Sequence, residues 1–473
     1  MLSCSSVLFS PPNAGEFQAR RQIQPTRHAR IGLRRESGHI ESLRRSEALK
    51  VAELERSSHP VTAETADLTV VGGAGHVGIP LVLSFAAQGL SVNVNDLNED
   101  ALAALKTGRL PFIETGAQPL LTKALADKRL FFTSKPSEIS RKGPVIITIG
   151  TPVDEFLNPV RDVVHRCIDS LLPFVRDDRL LILRSTLYPG TTEWIDASIR
   201  AKGRKINVAF CPERIVQGHG ISELASMPQL VSGTTPEAEG EAAALFDLIA
   251  PQCIVLKPME AEFAKLFNNA YRYIGFAVTN QFYLIAKSAG LDYDRILTAM
   301  KQDYPRAQSV PGPGFAAGPC LVKDTMQLLA FARNEFALGN AAIMANEGLP
   351  LHIVADLRRS YDLSKMTIGI LGMAFKAEVD DARASLSYKM KKVMAEVARS
   401  VLTTDPYVAD PELRPLEEVV DRSDLLILAT PHSAYKTADL KGKPVVDVWS
   451  FLPHANRVSL GITQPLPPVR DGR

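Results

Sequence analysis

The sequence has few cysteines, few aromatic residues and almost no net charge. Its five cysteines lie at positions 4, 167, 211, 253 and 320 and form no Cys-x-x-Cys pair, so we expect neither a disulfide framework nor a metal site. Its 54 Lys and Arg residues against 52 Asp and Glu give a formal net charge of +2, and no stretch combines basic with aromatic residues. We therefore expect no nucleic-acid partner.

Long apolar runs are also scarce. Residues 68 to 95 carry no Asp, Glu, Lys or Arg, but glycine, proline and asparagine interrupt them, which favours strand, turn and buried helix over a membrane span. The start of the chain lacks an apolar segment of secretory type, so we expect a cytoplasmic protein with no membrane partner. Residues 1 to 66 are rich in Arg and Ser. They are predicted to be a disordered extension, with an organelle transit peptide as the alternative.

A glycine-rich turn follows the first apolar strand. Leu68-Thr-Val-Val71 runs into Gly73-Ala-Gly75-His-Val77-Gly78, which opens a helix predicted to end at Gln88. This order is typical of dinucleotide binding: Gly73 makes the tight turn, Gly75 lets a pyrophosphate approach, and Gly78 packs helix on strand.

An acidic residue closes the next predicted strand. Asp96 follows Ser91-Val-Asn-Val-Asn95 and lies 18 residues beyond Gly78. A carboxylate at this point can accept hydrogen bonds from a ribose 2′-OH and repels a 2′-phosphate. The sequence therefore predicts NAD, rather than NADP, as the cofactor.

Polar residues follow the later strands as well. Thr151 follows the strand predicted at 145–149, Thr186 follows the strand at 180–183, and Glu213 follows the strand at 208–210. Open α/β sheets bind ligands at the carboxyl ends of their strands. Thr151 and Thr186 are thus candidates to contact the cofactor or a bound water, although capping of the next helix explains each hydroxyl equally well.

A long helix is predicted from Met259 to Lys287. Glu262, Lys265, Asn269 and Arg272 lie on one face of it. A buried polar stripe needs partners, because unpaired polar groups are costly to bury. The alternative is a solvated strip on a surface helix.

One cysteine occupies a distinctive position. Cys320 ends a glycine- and proline-rich stretch that begins at Val310, and Lys323 follows it by three residues. A helix start and a nearby cation both favour the thiolate, so we expect the pKa of Cys320 to be lowered and the residue to be a nucleophile. The alternative is an inert, buried cysteine.

A second α/β unit is predicted near the end of the chain, with strands at 367–371, 425–429 and 445–447 and a helix from Ser387 to Arg399. Its first turn, Gly372-Met-Ala-Phe-Lys376, lacks the full glycine triplet, so we do not expect a second NAD site. Lys376 and Arg383 are candidates to contact a pyrophosphate; a surface loop with offsetting charges is the alternative.

Seven motifs occur in the order that is found in one known family. From about residue 67 to 455 the chain resembles the nucleotide-sugar dehydrogenases of the UDP-glucose/GDP-mannose type. The motifs are Val70–Pro80, Gly150-Thr-Pro152, Arg184–Thr191, Cys211-Pro-Glu-Arg-Ile215, Ala261–Asn269, Gly314–Asp324 and Gly372–Arg383.

The resemblance implies a fold, a reaction and a set of roles. It implies an α/β protein with two Rossmann-like, doubly wound parallel-sheet domains joined by a long central helix and a helical dimerisation region. It also implies oxidation of the C6 alcohol of a UDP-sugar to a carboxylate with two NAD reduced. By this resemblance Cys320, Lys265, Asn269, Glu213 and Asp324 are catalytic, and Arg306, Gly314, Phe315, Lys376 and Arg383 bind the substrate, Arg306 across a dimer interface.

The resemblance also suggests domain limits and a substrate. It places an NAD-binding domain at 67–257, a central helical domain at 258–363, a nucleotide-sugar-binding domain at 364–460 and a tail at 461–473. Cys211-Pro-Glu-Arg214 is closer to the UDP-N-acetylhexosamine branch, in particular UDP-N-acetylmannosamine, than to the UDP-glucose enzymes. UDP-glucose, a two-electron 3-hydroxyacid-type dehydrogenase and a catalytically silent binding protein remain the alternatives.

Overall fold

The computed structural model describes residues 61–154, 159–160, 162–458 and 460. The extension predicted before residue 67 lies mostly outside the described residues, and the tail predicted at 461–473 lies entirely outside them.

The first half of the described chain forms an eight-stranded sheet in the order β3-β2-β1-β4-β5-β6-β7-β8. Strand β6 pairs with β7 in antiparallel fashion, whereas the other neighbours are parallel. The order reverses between β1 and β4, which is where a doubly wound sheet opens a crevice for ligands. The strands are β1 (Leu68–Val71), β2 (Val92–Asn95), β3 (Leu130–Thr133), β4 (Val145–Ile147), β5 (Leu180–Leu183), β6 (Asn207–Phe210), β7 (Gln229–Gly233) and β8 (Cys253–Val255).

Seven helices accompany this sheet. Buried strands such as β1 and β5 carry apolar residues on both faces because helices cover both sides. The helices are α1 (Gly78–Ala87), α2 (Glu99–Lys106), α3 (Ala117–Ala126), α4 (Asp162–Leu171), α5 (Thr191–Ala201), α6 (Gly220–Ser226) and α7 (Pro236–Phe246).

A helical region follows the first sheet. Helix α8 has 31 residues and is therefore about 46 Å long. It packs against the three later helices of this region, which places its buried face beside the segment that contains Cys320. The helices are α8 (Pro258–Ser288), α9 (Tyr293–Lys301), α10 (Leu321–Phe331) and α11 (Ala337–Ser360).

The last part of the described chain forms a parallel five-stranded sheet in the order β10-β9-β11-β12-β13. Sequence reasoning missed two of its strands. The helix predicted to reach Arg399 ends at Ala395, residues 400–404 form β10, and residues 456–457 form β13. The elements are β9 (Thr367–Leu371), α12 (Leu386–Ala395), β10 (Ser400–Thr404), α13 (Leu416–Arg422), β11 (Leu425–Leu428), β12 (Pro444–Asp447) and β13 (Asn456–Arg457). The predicted α/β fold with two Rossmann-like sheets and a long central helix is confirmed.

Candidate active site

The glycine turn after β1 differs in one detail from the prediction. Gly72, with φ of +78°, adopts the left-handed conformation, so it, rather than Gly73, makes the tight turn. A Cβ at Gly73 would lie 2.8 Å from the Val70 carbonyl oxygen, and one at Gly78 would lie 2.3 Å from the Gly72 carbonyl oxygen. A Cβ at Gly75 meets nothing closer than 3.4 Å, so Gly75 faces space that a ligand can occupy.

Asp96 lies beside this turn, as the ribose assignment requires. Its Oδ2 accepts a hydrogen bond from the Ala74 amide at 3.0 Å, and its Oδ1 accepts one from the Asn98 amide at 2.9 Å. Val77 directly precedes helix α1. The turn, the helix start and the carboxylate thus meet at the carboxyl ends of β1 and β2, where a dinucleotide binds in such sheets.

A cavity of about 410 Å³ lies between the glycine turn and a loop that follows β9. Gly75 and His76 line one side of it, and the Asp380–Arg383 loop lines the other. Arg383, which sequence reasoning assigned to the substrate, therefore faces the cofactor turn. Its guanidinium donates to Asp381 Oδ2 at 2.6 Å.

His76 is a residue of this cavity that the sequence did not single out. Its ring centroid is 3.9 Å from that of Phe112, and its Nδ1 lies 3.0 Å from Gln217 Nε2. Burial, together with the positive charge of Arg383, lowers the pKa of His76 to about 4. The imidazole is therefore neutral at physiological pH.

Cys320 directly precedes helix α10, as predicted, but its acidity is the reverse of the expectation. Solvent reaches its side chain, yet the surrounding protein limits hydration of the thiolate. This burial and the Asp324 carboxylate raise the pKa of Cys320 above its ordinary value. Lys323, Lys265 and Arg383 oppose the shift without cancelling it.

The structure brings four predicted catalytic residues together. Asn269 on α8 donates a hydrogen bond to Asp324 Oδ2 at 2.6 Å, and Lys265 is close enough to Cys320 to affect its pKa. Lys265 is buried, and within the described part of the chain it has no hydrogen-bond or ion-pair partner. An ammonium group without a protein partner, on a largely buried side chain, is suited to bind an oxyanion of a ligand.

Lys323 links this cluster to the first sheet. Its Nζ lies 2.8 Å from Asp324 Oδ1 and donates to Thr151 Oγ1 at 3.3 Å. Thr151 therefore lies beside the thiol region. Thr186 follows β5 and is half-buried.

The polar stripe on α8 is largely buried, so the surface-helix alternative is wrong for three of its four residues. Glu262 is wholly buried and accepts hydrogen bonds from the amides of Gly190 and Thr192 at 2.6 and 2.8 Å. Burial raises the pKa of Glu262 above its ordinary value, although these hydrogen bonds at the start of α5 oppose the shift. Arg272 is exposed.

Glu213 lies in a different network from Cys320. Its Oε2 forms a buried ion pair with Arg184, and its Oε1 accepts hydrogen bonds from the amides of Arg214 and Ile215 at 2.6 and 2.8 Å. These contacts fix the orientation of the carboxylate at the carboxyl end of β6.

Two predicted substrate contacts lie in the loop before Cys320. The Asn280 side chain binds both the amide and the carbonyl of Gly314, at 2.9 and 3.0 Å. Gly314 has φ of +148°, and a Cβ there would lie 2.3 Å from the Trp449 ring. Phe315 is buried in the core that includes Val446, and its assignment to the substrate stays a prediction.

The remaining predicted substrate contacts are dispersed. Lys376 donates from Nζ to the Gln217 carbonyl at 2.7 Å, which connects the loop after β9 to the first half of the chain. Arg306 is exposed, and its guanidinium carbon lies 5.2 Å from the centroid of the Tyr304 ring. The structure thus does not bring Arg306 together with Lys376.

The second sheet has its own acidic residue after β10, but internal contacts occupy it. Asp405 Oδ2 accepts hydrogen bonds from the amides of Met373 and Ala374 at 2.6 and 2.9 Å and lies 3.1 Å from His432 Nε2. Although burial opposes ionisation, these contacts lower the pKa of Asp405 to about 2. The Asp405 carboxylate is therefore bound by the turn after β9 and by His432, so it does not correspond to Asp96 of the first sheet.

The described residues form neither a membrane-spanning helix nor a cluster of metal ligands. Over residues 61–458, apart from the short gaps, no helix is long and apolar enough to cross a membrane. In the same part of the chain, no three His, Cys, Asp or Glu side chains are grouped so that they could hold a metal ion.

These features are those of an NAD-dependent dehydrogenase. The glycine turn and Asp96 are suited to bind the dinucleotide, Cys320 lies close to Lys265, and the chain contains a second Rossmann-like sheet. The chain belongs to the UDP-glucose/GDP-mannose dehydrogenase family, whose NAD binding domain matches residues 66–250, central domain residues 259–347 and UDP binding domain residues 369–454.

Individual relatives agree with this membership. The chain is 29% identical over 413 residues to UDP-N-acetyl-D-mannosamine dehydrogenase of Methanococcus maripaludis, covering 83% of this chain and 94% of that protein. It is similar to the structure of UDP-D-ManNAc dehydrogenase from Pyrococcus horikoshii, with a TM-score of 0.76, 26% identity, and 81% and 96% of the two chains covered. It is equally similar to that of a UDP-glucose dehydrogenase from Pyrobaculum islandicum, with a TM-score of 0.77, 26% identity, and 85% and 100% covered.

Proposed function

We propose that the protein oxidises the C6 alcohol of a UDP-sugar to the carboxylate in two successive two-electron steps, with Cys320 holding the substrate carbon between them. The observation that carries this proposal is the arrangement around Cys320. Lys265 is buried without a partner, and the Asn269–Asp324 hydrogen bond lies beside the same helix start.

The chemistry follows from these groups. NAD accepts one hydride in each oxidation. Lys265 and Asn269 stabilise the negative charge that develops on the C6 oxygen when its proton is removed. The Cys320 thiolate then adds to the aldehyde carbon, and loss of the second hydride from this thiohemiacetal leaves a thioester. Water attacks the thioester carbonyl, the carbon–sulfur bond breaks, and the acid and the free thiolate are released.

The structure favours one of the two candidate bases for the hydrolysis. Asp324 is wholly buried and already contacts Asn269 and Lys323. Glu213 is slightly accessible, and it accepts three hydrogen bonds from protein groups. An ionised carboxylate has roughly four acceptor sites, so Glu213 retains one for a water molecule. Its slight exposure lets water reach that site, whereas the complete burial of Asp324 does not. We therefore assign Glu213 as the base.

For the substrate we propose a UDP-N-acetylhexosamine, in particular UDP-N-acetylmannosamine. Cys211-Pro-Glu-Arg214 supports this choice, as do the names of relatives such as the Methanococcus maripaludis enzyme. The fold does not discriminate, because the similarity to the UDP-glucose dehydrogenase structure is as high.

A panel of substrates tests this choice. Initial rates with NAD are measured separately for UDP-N-acetylmannosamine, UDP-N-acetylglucosamine and UDP-glucose. We expect the highest kcat/KM with UDP-N-acetylmannosamine. A preference for UDP-glucose would refute the substrate assignment while leaving the reaction type intact.

We also propose a homodimer in the cytoplasm. One side of α8 exposes apolar side chains at helical spacing, and α11 exposes others. Large exposed apolar surfaces mark sites of association, and a second copy of the chain is the partner that the central helical region fits. The exposed apolar residues are Phe267, Tyr271, Val278, Phe282 and Ile285 on α8 and Leu338, Met344 and Leu351 on α11.

Cell fractionation tests the proposed cytoplasmic location.

A further inference from the structure

Arg184 is among the largest side chains that are wholly buried in the described chain. It directly follows β5 and is covered on one side by the Phe246 ring, whose centroid lies 4.9 Å from its guanidinium carbon. A buried cation is expensive because it loses its hydration. The contacts that offset this cost indicate what the residue does.

These contacts converge on residues 211–215, the segment that carries Glu213. The guanidinium donates to the Cys211 carbonyl and to Gln229 Oε1, both at 3.0 Å, and to Glu213 Oε2. Gln229 in turn donates from Nε2 to the Pro212 carbonyl at 3.1 Å. Arg184 therefore holds three consecutive residues, two directly and one through Gln229.

The contacts of the Glu213 carboxylate also limit where it can bind water. The peptide amides of Arg214 and Ile215 occupy Oε1, and the guanidinium occupies one site on Oε2. The remaining site for water is consequently on Oε2, in a direction that Arg184 sets.

A merely structural brace would not require charge. Apolar side chains of similar volume commonly replace buried ion pairs without loss of stability. Arg184 and Glu213 form their pair at the ligand edge of the first sheet, where orientation of an ionised group has a chemical use.

We propose that Arg184 is a positioning residue for the hydrolytic step and acts through Glu213. This inference rests on the proposed thioester route. Glu213 takes a proton from the attacking water while the water oxygen bonds to the thioester carbon. The carbon–sulfur bond then breaks, and Cys320 leaves as a thiolate. Arg184 holds the carboxylate in the orientation that directs its free acceptor site at that water.

The experiment separates hydrolysis from oxidation. Arg184→Met, Arg184→Lys and Glu213→Gln are mixed with NAD and the UDP-sugar, quenched in acid at intervals, and the peptide containing Cys320 is weighed by mass spectrometry. In Arg184→Met we expect the first NADH to form within about two-fold of the wild-type rate. Hydrolysis should slow by about 10-fold or more, within the range that a general base supplies, so the thioester accumulates on Cys320.

Arg184→Lys keeps a buried cation but loses the planar fork of donors, so its hydrolysis rate should lie between those of Arg184→Met and the wild type. If Arg184→Met does not fold, Arg184→Lys takes its place in the comparison. Arg179→Met is the matched control. It removes another buried guanidinium, directly before β5, that donates to the carbonyls of Ser140, Gly143 and Lys142 and not to residues 211–215, so hydrolysis should be unchanged.

The double variant Arg184→Met/Glu213→Gln should hydrolyse no more slowly than Glu213→Gln alone. Equal slowing of both oxidation and hydrolysis in the Arg184 variants, or additive effects in the double variant, would show a general structural role and overturn the inference. If Glu213→Gln hydrolyses normally, the base assignment fails; if no thioester forms in any variant, the proposed route fails.

Discussion

Asn269 and Asp324 lie 55 residues apart in the sequence and are joined by a hydrogen bond of 2.6 Å. This bond ties α8, which carries Lys265, to α10, which begins directly after Cys320. Both residues are buried, so the bond is protected from competition with water. The thiol and the groups proposed to stabilise the oxyanion are thus held on two helices that cannot shift independently.

Replacing Cys320 by Ser should abolish the overall oxidation. The substitution removes the nucleophile but little volume, so the rate of acid formation should fall by roughly 10³-fold or more while NAD and UDP-sugar bind with unchanged affinity. Rates and calorimetric binding check this. Cys167→Ser, on α4, is the control and should keep full activity; full activity in Cys320→Ser would rule out the thioester.

The reactivity of Cys320 should rise with pH. Burial and the Asp324 carboxylate raise the pKa of Cys320, so the thiolate fraction grows only as the pH approaches this raised value. The alkylation rate of Cys320 by iodoacetamide, followed by peptide mass spectrometry, should have a midpoint above that of a free cysteine.

Two variants test the cause of this shift. Asp324→Asn removes a negative charge and should move the midpoint down, whereas Lys323→Met removes a positive charge and should move it up. Burial raises the pKa of Cys211 and Cys253 to about 12, so these thiols should react little in the same range. An unchanged midpoint in Asp324→Asn would contradict the electrostatic explanation.

Alanine substitutions at two glycines of the first turn should have different effects: one should weaken NAD binding, and the other should lower stability. In Gly75→Ala the added methyl makes only a van der Waals contact of 3.4 Å with the Gly72 carbonyl oxygen, so the melting temperature should stay the same. The Kd for NAD should rise about 10-fold or more, since the backbone can no longer approach the pyrophosphate. In Gly78→Ala the methyl collides with the Gly72 carbonyl, which should lower the free energy of unfolding by roughly 1–3 kcal/mol.

Gly240→Ala is the control for this pair. Gly240 is an exposed residue inside α7, and a Cβ there meets nothing within 4 Å. The substitution should raise stability by about 0.5–1 kcal/mol through helix propensity and leave NAD binding unchanged. Equal loss of stability in Gly75→Ala and Gly78→Ala would contradict the distinct functions of the two positions.

Asp96→Ala should weaken NAD and relax discrimination against NADP. The carboxylate is proposed to accept hydrogen bonds from the ribose, and its removal should raise the Kd for NAD about 10-fold or more, as hydrogen bonds to charged groups are among the stronger ones. Activity ratios with the two cofactors measure the discrimination. Asp127→Ala is the control: Asp127 forms an exposed ion pair with Lys123, and the substitution should change neither the Kd for NAD nor the NAD/NADP activity ratio. An unaltered activity ratio in Asp96→Ala would exclude the ribose contact.

Tyr271→Glu should convert the dimer to monomers. Tyr271 is 73% exposed on the apolar side of α8, and a charge in a buried interface is costly. Sedimentation velocity measures the outcome. Trp194→Glu, at an exposed aromatic residue on α5, should leave the dimer intact. A wild-type protein that sediments as a monomer would refute the proposed interface.

Local sequence signals predicted much of the fold and part of the site. The run from Leu68 to Asp96 joins an apolar strand, a glycine turn, a helix and an acid in a short span, and α8 is long enough to be recognised by its length alone. Cys320, Lys265, Asn269 and Asp324 were located by motifs. Their proximity is visible only once α8 and α10 are packed together.

Other features depend on tertiary contacts that no local pattern encodes. Strand β10 is rich in Ser and Thr, and the four residues that separate it from α12 contain no Gly or Pro, so the predicted helix was extended through them to Arg399 and the strand was missed. The pKa direction of Cys320 reflects burial and the carboxylate of Asp324, which outweigh Lys323. Arg184 and Glu213 meet because β5 and β6 are neighbours in the sheet, a pairing across 29 residues.

The number of NADH molecules formed for each sugar acid produced tests the central claim most directly. Purified protein is given a limiting amount of UDP-N-acetylmannosamine and excess NAD, and NADH absorbance is compared with the acid measured by chromatography. Covalent capture at Cys320 predicts two NADH per acid with no free aldehyde. One NADH per oxidised sugar, with the aldehyde as the released product, would contradict the account.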